Sequence, residues 1–292
     1  MEIKLSLKYF RMIENFNIFY SFFLIFLLFD FCYATISKIH LVVNGTGNIR
    51  ILSSIFNKDP SDVIINGIPQ GELCKRVCTF EEEENNVTLI FEEEISSFKY
   101  MFYGCKNIIE IDLSEFNTEY IINMASMFNN CINLEKINFG NIDTSKVENM
   151  RSLFYNCSKL TSIDVSNFDT SQVTDMGWIF SNCSSLESLN IMNFNFSKVK
   201  EFPGFFYNCT RLTSIDVSNF DTSQATTMEW MFYCCSSLTS INVSNFNTSK
   251  VENFEALFYN CFKLTSIDVS HFDTSLAIDI SWMFYGCSSL KS

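Results

Sequence analysis

Residues 160–172 read LTSIDVSNFDTSQ, and residues 212–224 repeat those letters without a change. Between the copies, residues 186–197 read LESLNIMNFNFS, the same phrase with Asn at both Asp positions. Outward from these lines a cysteine returns every 26 residues, at Cys105, Cys131, Cys157, Cys183, Cys209, Cys235, Cys261 and Cys287. Three residues before each stands a Phe, from Phe102 to Phe284, and three after stands Ile108 or a Leu, up to Leu290. Recurrence at a fixed period marks a repeat architecture, whose units bury their apolar side chains against one another rather than alone.

Two shorter periods coexist inside each unit. Ile163-x-Val165 carries the alternation of a strand, and Val173, Met176, Phe180 and Cys183 follow at spacings of 3, 4 and 3, the stripe of a short helix. Just before each repeated Cys stands Gly104, Asn130, Asn156, Asn182, Asn208, Cys234, Asn260 or Gly286. Gly and Asn accept the left-handed backbone that ends a helix, so this column is expected to stop one.

The block LTSIDVSNFDTSQVTDMGWIFSNCSSL, residues 160–186, resembles the BspA-like class of leucine-rich repeats, also found in mycoplasma lipoproteins and surface proteins of parasitic protists. The resemblance covers about residues 98–292. It implies an extracellular, surface-displayed protein used in adhesion or recognition, and it carries no catalytic residues. The ninth position of the general pattern LxxLxLxxN is Phe168, with Asn167 one place earlier, so the usual asparagine ladder does not follow from the motif. The expected fold is an α/β repeat solenoid of leucine-rich type over 98–292, truncated at its C-terminal end. Parallel short strands would form one face and short helices or irregular segments the other.

Two further segments precede it. Residues 35–97 hold KIHLVV (38–43), NIRIL (48–52), DVIING (62–67) and NNVTLIF (85–91), with turn pairs Asn44-Gly45 and Asn66-Gly67. They read as a small β-rich N-terminal cap. Residues 1–34 pair Lys4, Lys8 and Arg11 with the apolar run IFYSFFLIFLLF (18–29) and end at Cys32-Tyr33-Ala34. That is the pattern of a signal peptide, or of an anchor if uncleaved. The last coil opens at Cys287, five residues from the end of the given sequence, which suggests further coils or an anchor beyond it.

Columns of the repeat supply the candidate site residues. Between the Ile and Val of each coil stand Asp112, Asn138, Asp164, Asn190, Asp216, Asn242 and Asp268, a strict alternation expected to line an exposed, polar and acidic sheet face. Alternation separates like charges on neighbouring rungs. Trp178, Gly204, Trp230, Ala256 and Trp282 alternate large and small in another column, expected as core or half-buried edge. The eight periodic cysteines read as a buried core ladder of free thiols, while Cys74 and Cys78 lie outside it and could pair with each other. Among the N-x-S/T sequons, Asn44, Asn86, Asn195 and Asn247 are the candidate glycosylation sites.

Net charge is −13, which disfavours nucleic acid. Nucleophile elbows, zinc-protease motifs and phosphate loops are absent, and the two histidines, His40 and His271, lie far apart, so no enzyme, cofactor or metal is expected. The sequence-based expectation is a secreted or cell-surface module that binds protein or glycan on another cell or matrix. Membrane attachment would run only through the N-terminal segment or a missing C-terminal one. The competing expectation is a structural spacer without a specific ligand.

Overall fold

A computed structural model describes residues 36–291. The proposed signal segment at 1–34 therefore lies outside the described residues. Eight strands are present: β1 (Ser37–Asn44), β2 (Gly47–Arg50), β3 (Asp62–Ile65), β4 (Ile68–Pro69), β5 (Val77–Phe80), β6 (Glu84–Phe91), β7 (Ile108–Asp112) and β8 (Lys136–Asn138). The one helical turn among the described residues is a 3-10 turn at Gly71–Leu73. A six-stranded mixed sheet runs β4-β3-β6-β1-β7-β8, and β2 pairs with β5 in a separate two-stranded ladder.

The N-terminal strands follow the period-two rule. Along β1, Ile39, Leu41 and Val43 are buried while His40 and Val42 face the other side. Antiparallel β6 answers with Val87, Leu89 and Phe91. The β3–β4 turn puts Asn66 at φ 50° and Gly67 at φ 83°, the double positive φ that favours an Asn-Gly pair. A Cys74–Cys78 disulfide, with Cα atoms 5.0 Å apart, ties the segment before β5 to that strand. On its other edge β1 pairs antiparallel with β7, so the sheet continues into the first coil and covers its end.

The coils themselves correct the sequence-based expectation. The fold is not an α/β leucine-rich solenoid, because no coil contains an α-helix and only the first two contribute strands, β7 and β8. The 3-4-3 apolar stripe is instead folded into consecutive turns. Ile179, Ser181 and Cys183 donate N–H groups to the carbonyls of Met176, Trp178 and Phe180, each three residues back. Trp178 and Asn182 have φ of 61° and 57°, and a left-handed residue at every fourth position cannot belong to an α-helix. The intervening amides point sideways: Trp178, Phe180 and Asn182 donate to the carbonyls of Pro203, Phe205 and Tyr207 at 2.8, 3.2 and 2.7 Å. Each non-glycine left-handed residue costs about 1–2 kcal/mol. A net hydrogen bond returns about 0.5–1.5 kcal/mol, and a buried amide left without a partner costs more. Those bonds, together with the apolar burial, hold the turns in place.

The Gly/Asn column preceding the repeated cysteines does take positive φ throughout, from 56° at Cys234 and Asn260 to 76° at Gly286, but it closes turns rather than helices. A second left-handed column, which the residue types did not announce, holds Tyr100, Ser126, Ser152, Trp178, Gly204, Trp230, Ala256 and Trp282. The strand expected at Ile163–Val165 is likewise missing. Asp164 Oδ1 accepts the Ser166 N–H at 3.0 Å, the same local turn that Asp112 and Asn138 make where β7 and β8 end.

Four files of side chains lock the coils together. Phe rings from Phe102 to Phe284 stack with centroids 5.3–6.1 Å apart. From Cys131 to Cys287, each repeated thiol donates to the carbonyl of the Phe 29 residues earlier, at 3.0–3.2 Å. At the corner, the buried Thr144 hydroxyl donates to Asp169 O at 2.9 Å and accepts Asp169 N–H at 2.8 Å. Thr170 repeats the pattern with Asn195, and Thr222 with Asn247. Phe196 stands where the next Thr would, fully buried with its ring 4.0 Å from that of Phe220.

The fourth file answers the question left by the repeat motif. Asn193 Nδ2 donates to the carbonyls of Val165, Ser166 and Phe168 at 2.9–3.2 Å, and Asn245 does the same to Val217, Ser218 and Phe220 at 2.9–3.3 Å. An asparagine ladder thus exists one position before the Phe. His271 takes the same slot, its Nε2 3.0 Å from Val243 O.

Candidate recognition site

The acidic column starts on the sheet, where Asp112 and Asn138 end β7 and β8, and from Asp164 onward it lies outside any strand. Asp112 is half-buried at the end of β7, and Asn138, Asp164, Asn190, Asp216, Asn242 and Asp268 are exposed. Each uses Oδ1 to accept the N–H two residues on, at 2.8–3.1 Å. Only a short side chain with an acceptor oxygen makes this local turn, which is why Asp and Asn are interchangeable here. Asp164, Asp216 and Asp268 are held below the ordinary carboxyl value of 3.8, chiefly by the hydroxyl of the serine two residues on and then by its amide.

The eight periodic cysteines are buried except Cys287, which is half-buried. Burial pushes the thiols of Cys105 and Cys183 up to about 12, which keeps them protonated and unreactive. Of the sequon residues, Asn44, Asn86, Asn195 and Asn247 are exposed. Asn195 and Asn247 spend Oδ1 on the amides of Ser197 and Ser249. His40 sits on the outer sheet face, Nδ1 3.0 Å from Thr88 Oγ1 and Nε2 3.5 Å from Glu115 Oε1. It is far from His271 in the chain and joins no catalytic arrangement with it. Among the described residues no group of three or more His, Cys, Asp or Glu could hold a metal ion, and no helix is long and apolar enough to cross a membrane.

What the structure assembles is an aromatic groove of about 640 Å³ along the second left-handed column. Its floor is a file of tyrosines two residues before the repeated cysteines. Tyr207–Tyr233 and Tyr233–Tyr259 stack with centroids 4.6 Å apart, and Tyr259–Tyr285 at 5.0 Å. Its wall is the tryptophan column. A Cβ on Gly204 would lie 2.2 Å from Trp178 Cε3, so that ring covers the glycine and reaches Trp230, two coils away, at 5.6 Å. Ala256 is the small neighbour beside Trp230 and Trp282. Trp178 and Trp230 are half-buried, whereas Trp282 is 62% exposed.

Glu255 joins the aromatic lining. Its neighbour one coil earlier, Glu229, accepts the Asn253 side-chain amide at 2.6 Å, and its acidity is weakened by burial and then by the charges of Glu255 and Glu201. The groove was missed in the sequence because the tyrosines are spaced 26 or 52 residues apart and carry no local pattern. The signal available was the Tyr at Cys minus two, repeated at Tyr103, Tyr155, Tyr207, Tyr233, Tyr259 and Tyr285.

A protein-family profile described as "Mycoplasma protein of unknown function, DUF285" matches residues 77–188, 134–240 and 178–292, three overlapping passes over the repeat. Comparison with curated proteins finds no match, and comparison with solved structures finds none either.

Proposed function

Because the chain belongs to the DUF285 family of mycoplasma repeat proteins, we propose that it is a non-enzymatic recognition protein. It works at the cell surface or after secretion and contacts protein or glycan on another cell or matrix. The observation that carries this reading is the groove lined by a file of stacked Tyr rings and by the half-exposed Trp rings beside it. Stacked aromatic rings held half-exposed are binding surfaces with little ordering entropy left to lose. The groove is lined by aromatic rings with Glu255 as its one charged side chain, which supports binding rather than chemistry. The Cys74–Cys78 disulfide favours an oxidising compartment, in line with export. A closer kinship with BspA-like surface proteins is proposed on the wording of the repeat alone.

The test is adhesion. Beads coated with the purified chain are laid on cultured cells and on immobilised matrix glycoproteins, beside beads carrying Trp230→Gly with Tyr259→Ala. Glycine at position 230 keeps the left-handed backbone, whose φ is 55°. Adhesion should fall to background in the variant. Adhesion by neither above a blank bead would favour the spacer reading, which the uniformity of the coils supports, and equal adhesion by both would move recognition off the groove.

A further inference from the structure

We infer that the aromatic groove seats the cationic side chains, arginine or lysine, of a basic peptide segment on the partner. This rests on the recognition reading above and names the chemistry of its ligand.

Glu255 lines the groove, and Glu229 and Glu201 stand on the two coils before it. Glu229 accepts the Asn253 amide, but none of the three forms an ion pair among the described residues. One coil before Glu201 its counterpart Asp175 differs, since Arg151 Nη1 lies 3.4 Å from Asp175 Oδ1 and compensates it. The acids therefore have a cationic partner at that N-terminal coil and none along the groove. Repulsion is already felt there, as Glu229 is harder to ionise than an ordinary glutamate through burial and then the nearby Glu255 and Glu201. No lysine or arginine lines the groove among the described residues.

The second part is the rings. The negative face of tryptophan attracts a cation placed over it, and arginine stacks flat on such a face better than any other side chain. The tyrosines stack on one another, with Tyr233 and Tyr259 3° from parallel and 4.6 Å apart, so the rings open to a cation are the half-buried Trp230 and the exposed Trp282. Glu255 beside the tryptophan wall suits a guanidinium, which can bond the carboxylate with its edge and stack on the ring with its face. A neutral sugar can donate hydroxyls to the carboxylates but brings no positive charge to neutralise them, so the charge pattern favours the peptide.

The experiment follows tryptophan fluorescence of the full chain during titration with an acetylated, amidated Arg-Gly-Arg-Gly-Arg-Gly peptide. A citrulline version of that peptide and chitohexaose serve as comparison ligands. The arginine peptide should give a saturable change that weakens as salt rises, and citrulline should bind at least about tenfold more weakly. The double variant Glu229→Gln/Glu255→Gln keeps shape and should lose about tenfold in affinity. The triple variant Asp164→Asn/Asp216→Asn/Asp268→Asn removes more charge away from the groove while keeping its turns, and should change affinity less than about twofold. Circular dichroism melts check that all variants fold; should the double variant melt early, Trp282→Gly, at the exposed end, replaces it. The inference is overturned if citrulline binds as well as arginine, or if the triple variant loses as much as the double. Saturable binding of chitohexaose without the arginine peptide would also overturn it, yet leave groove-dependent adhesion standing. Loss of adhesion specificity itself would instead sink the broader reading.

Discussion

The sheet at residues 37–91 and the coils that follow it solve the same problem by different means. Both must bury long apolar faces and pair every amide they cover. In the sheet, β1 and β6 pair over eight residues, and alternation sorts side chains to two faces. In the coils, pairing is reduced to single bridges such as Asn123↔Asn149 and Asn149↔Asp175, and files of Phe, Cys, Thr and Asn do the rest. The difference teaches that a repeat of fixed length needs no regular secondary structure. When a neighbour with the same shape lies alongside, amides that do not bond within their own turn find a partner about 25 residues away, and turns suffice.

The largest expected effect breaks one file. Phe206→Ala should cost about 3–5 kcal/mol, because the ring is fully buried and stacked on both Phe180 and Phe232. Measured by hydrogen exchange, protection should fall in the coils on either side while β1 and β6 keep theirs. Equal loss in both regions would mean that sheet and coils are one cooperative unit. Next comes Gly204→Ala, which forces a methyl into the Trp178 ring and should cost about 1–3 kcal/mol. The change is read from denaturant melts and from altered tryptophan emission, and an unaltered emission would refute the covering of Gly204 by that ring.

Asn245→Ala removes three contacts to backbone carbonyls and should cost about 1–3 kcal/mol, with no counterpart in the sheet. The smallest effect distinguishes Asp coils from Asn coils. The carboxyls of Asp164, Asp216 and Asp268 are lowered in the folded chain, so their contribution is present above about pH 4 and is lost as pH falls through the lowered values. Changing all three to Asn should flatten the acid limb of the stability curve and leave neutral pH unchanged. A curve that keeps its acid limb would place the responsible carboxyls elsewhere.

Much of the candidate groove was present in the sequence as columns, yet only partly as a site. The alternation of Trp with Gly204 and Ala256 was legible, because a bulky ring and a missing side chain at a 26-residue offset imply contact. The tyrosine file and the clustering of Glu229 with Glu255 were not, because the groups that meet there lie on different coils. The acidic column was legible as Asp or Asn only. Its service as an acceptor for the chain's own amide two residues on appears once the backbone turns there.

By itself the sequence determined the 26-residue period, the residues of the Phe and Cys files and the left-handed Gly and Asn column before the cysteines, since these follow from side-chain size, polarity and steric freedom. Tertiary structure alone decided that an apolar 3-4-3 stripe folds into turns and that the Ile-x-Val stretch becomes a strand only in the first two coils. The physical reason is the destination of the amides. Spacing of apolar side chains says which way they point, but a backbone N–H can bond within its own turn or across to the neighbouring coil, and only the assembled stack makes the second partner available.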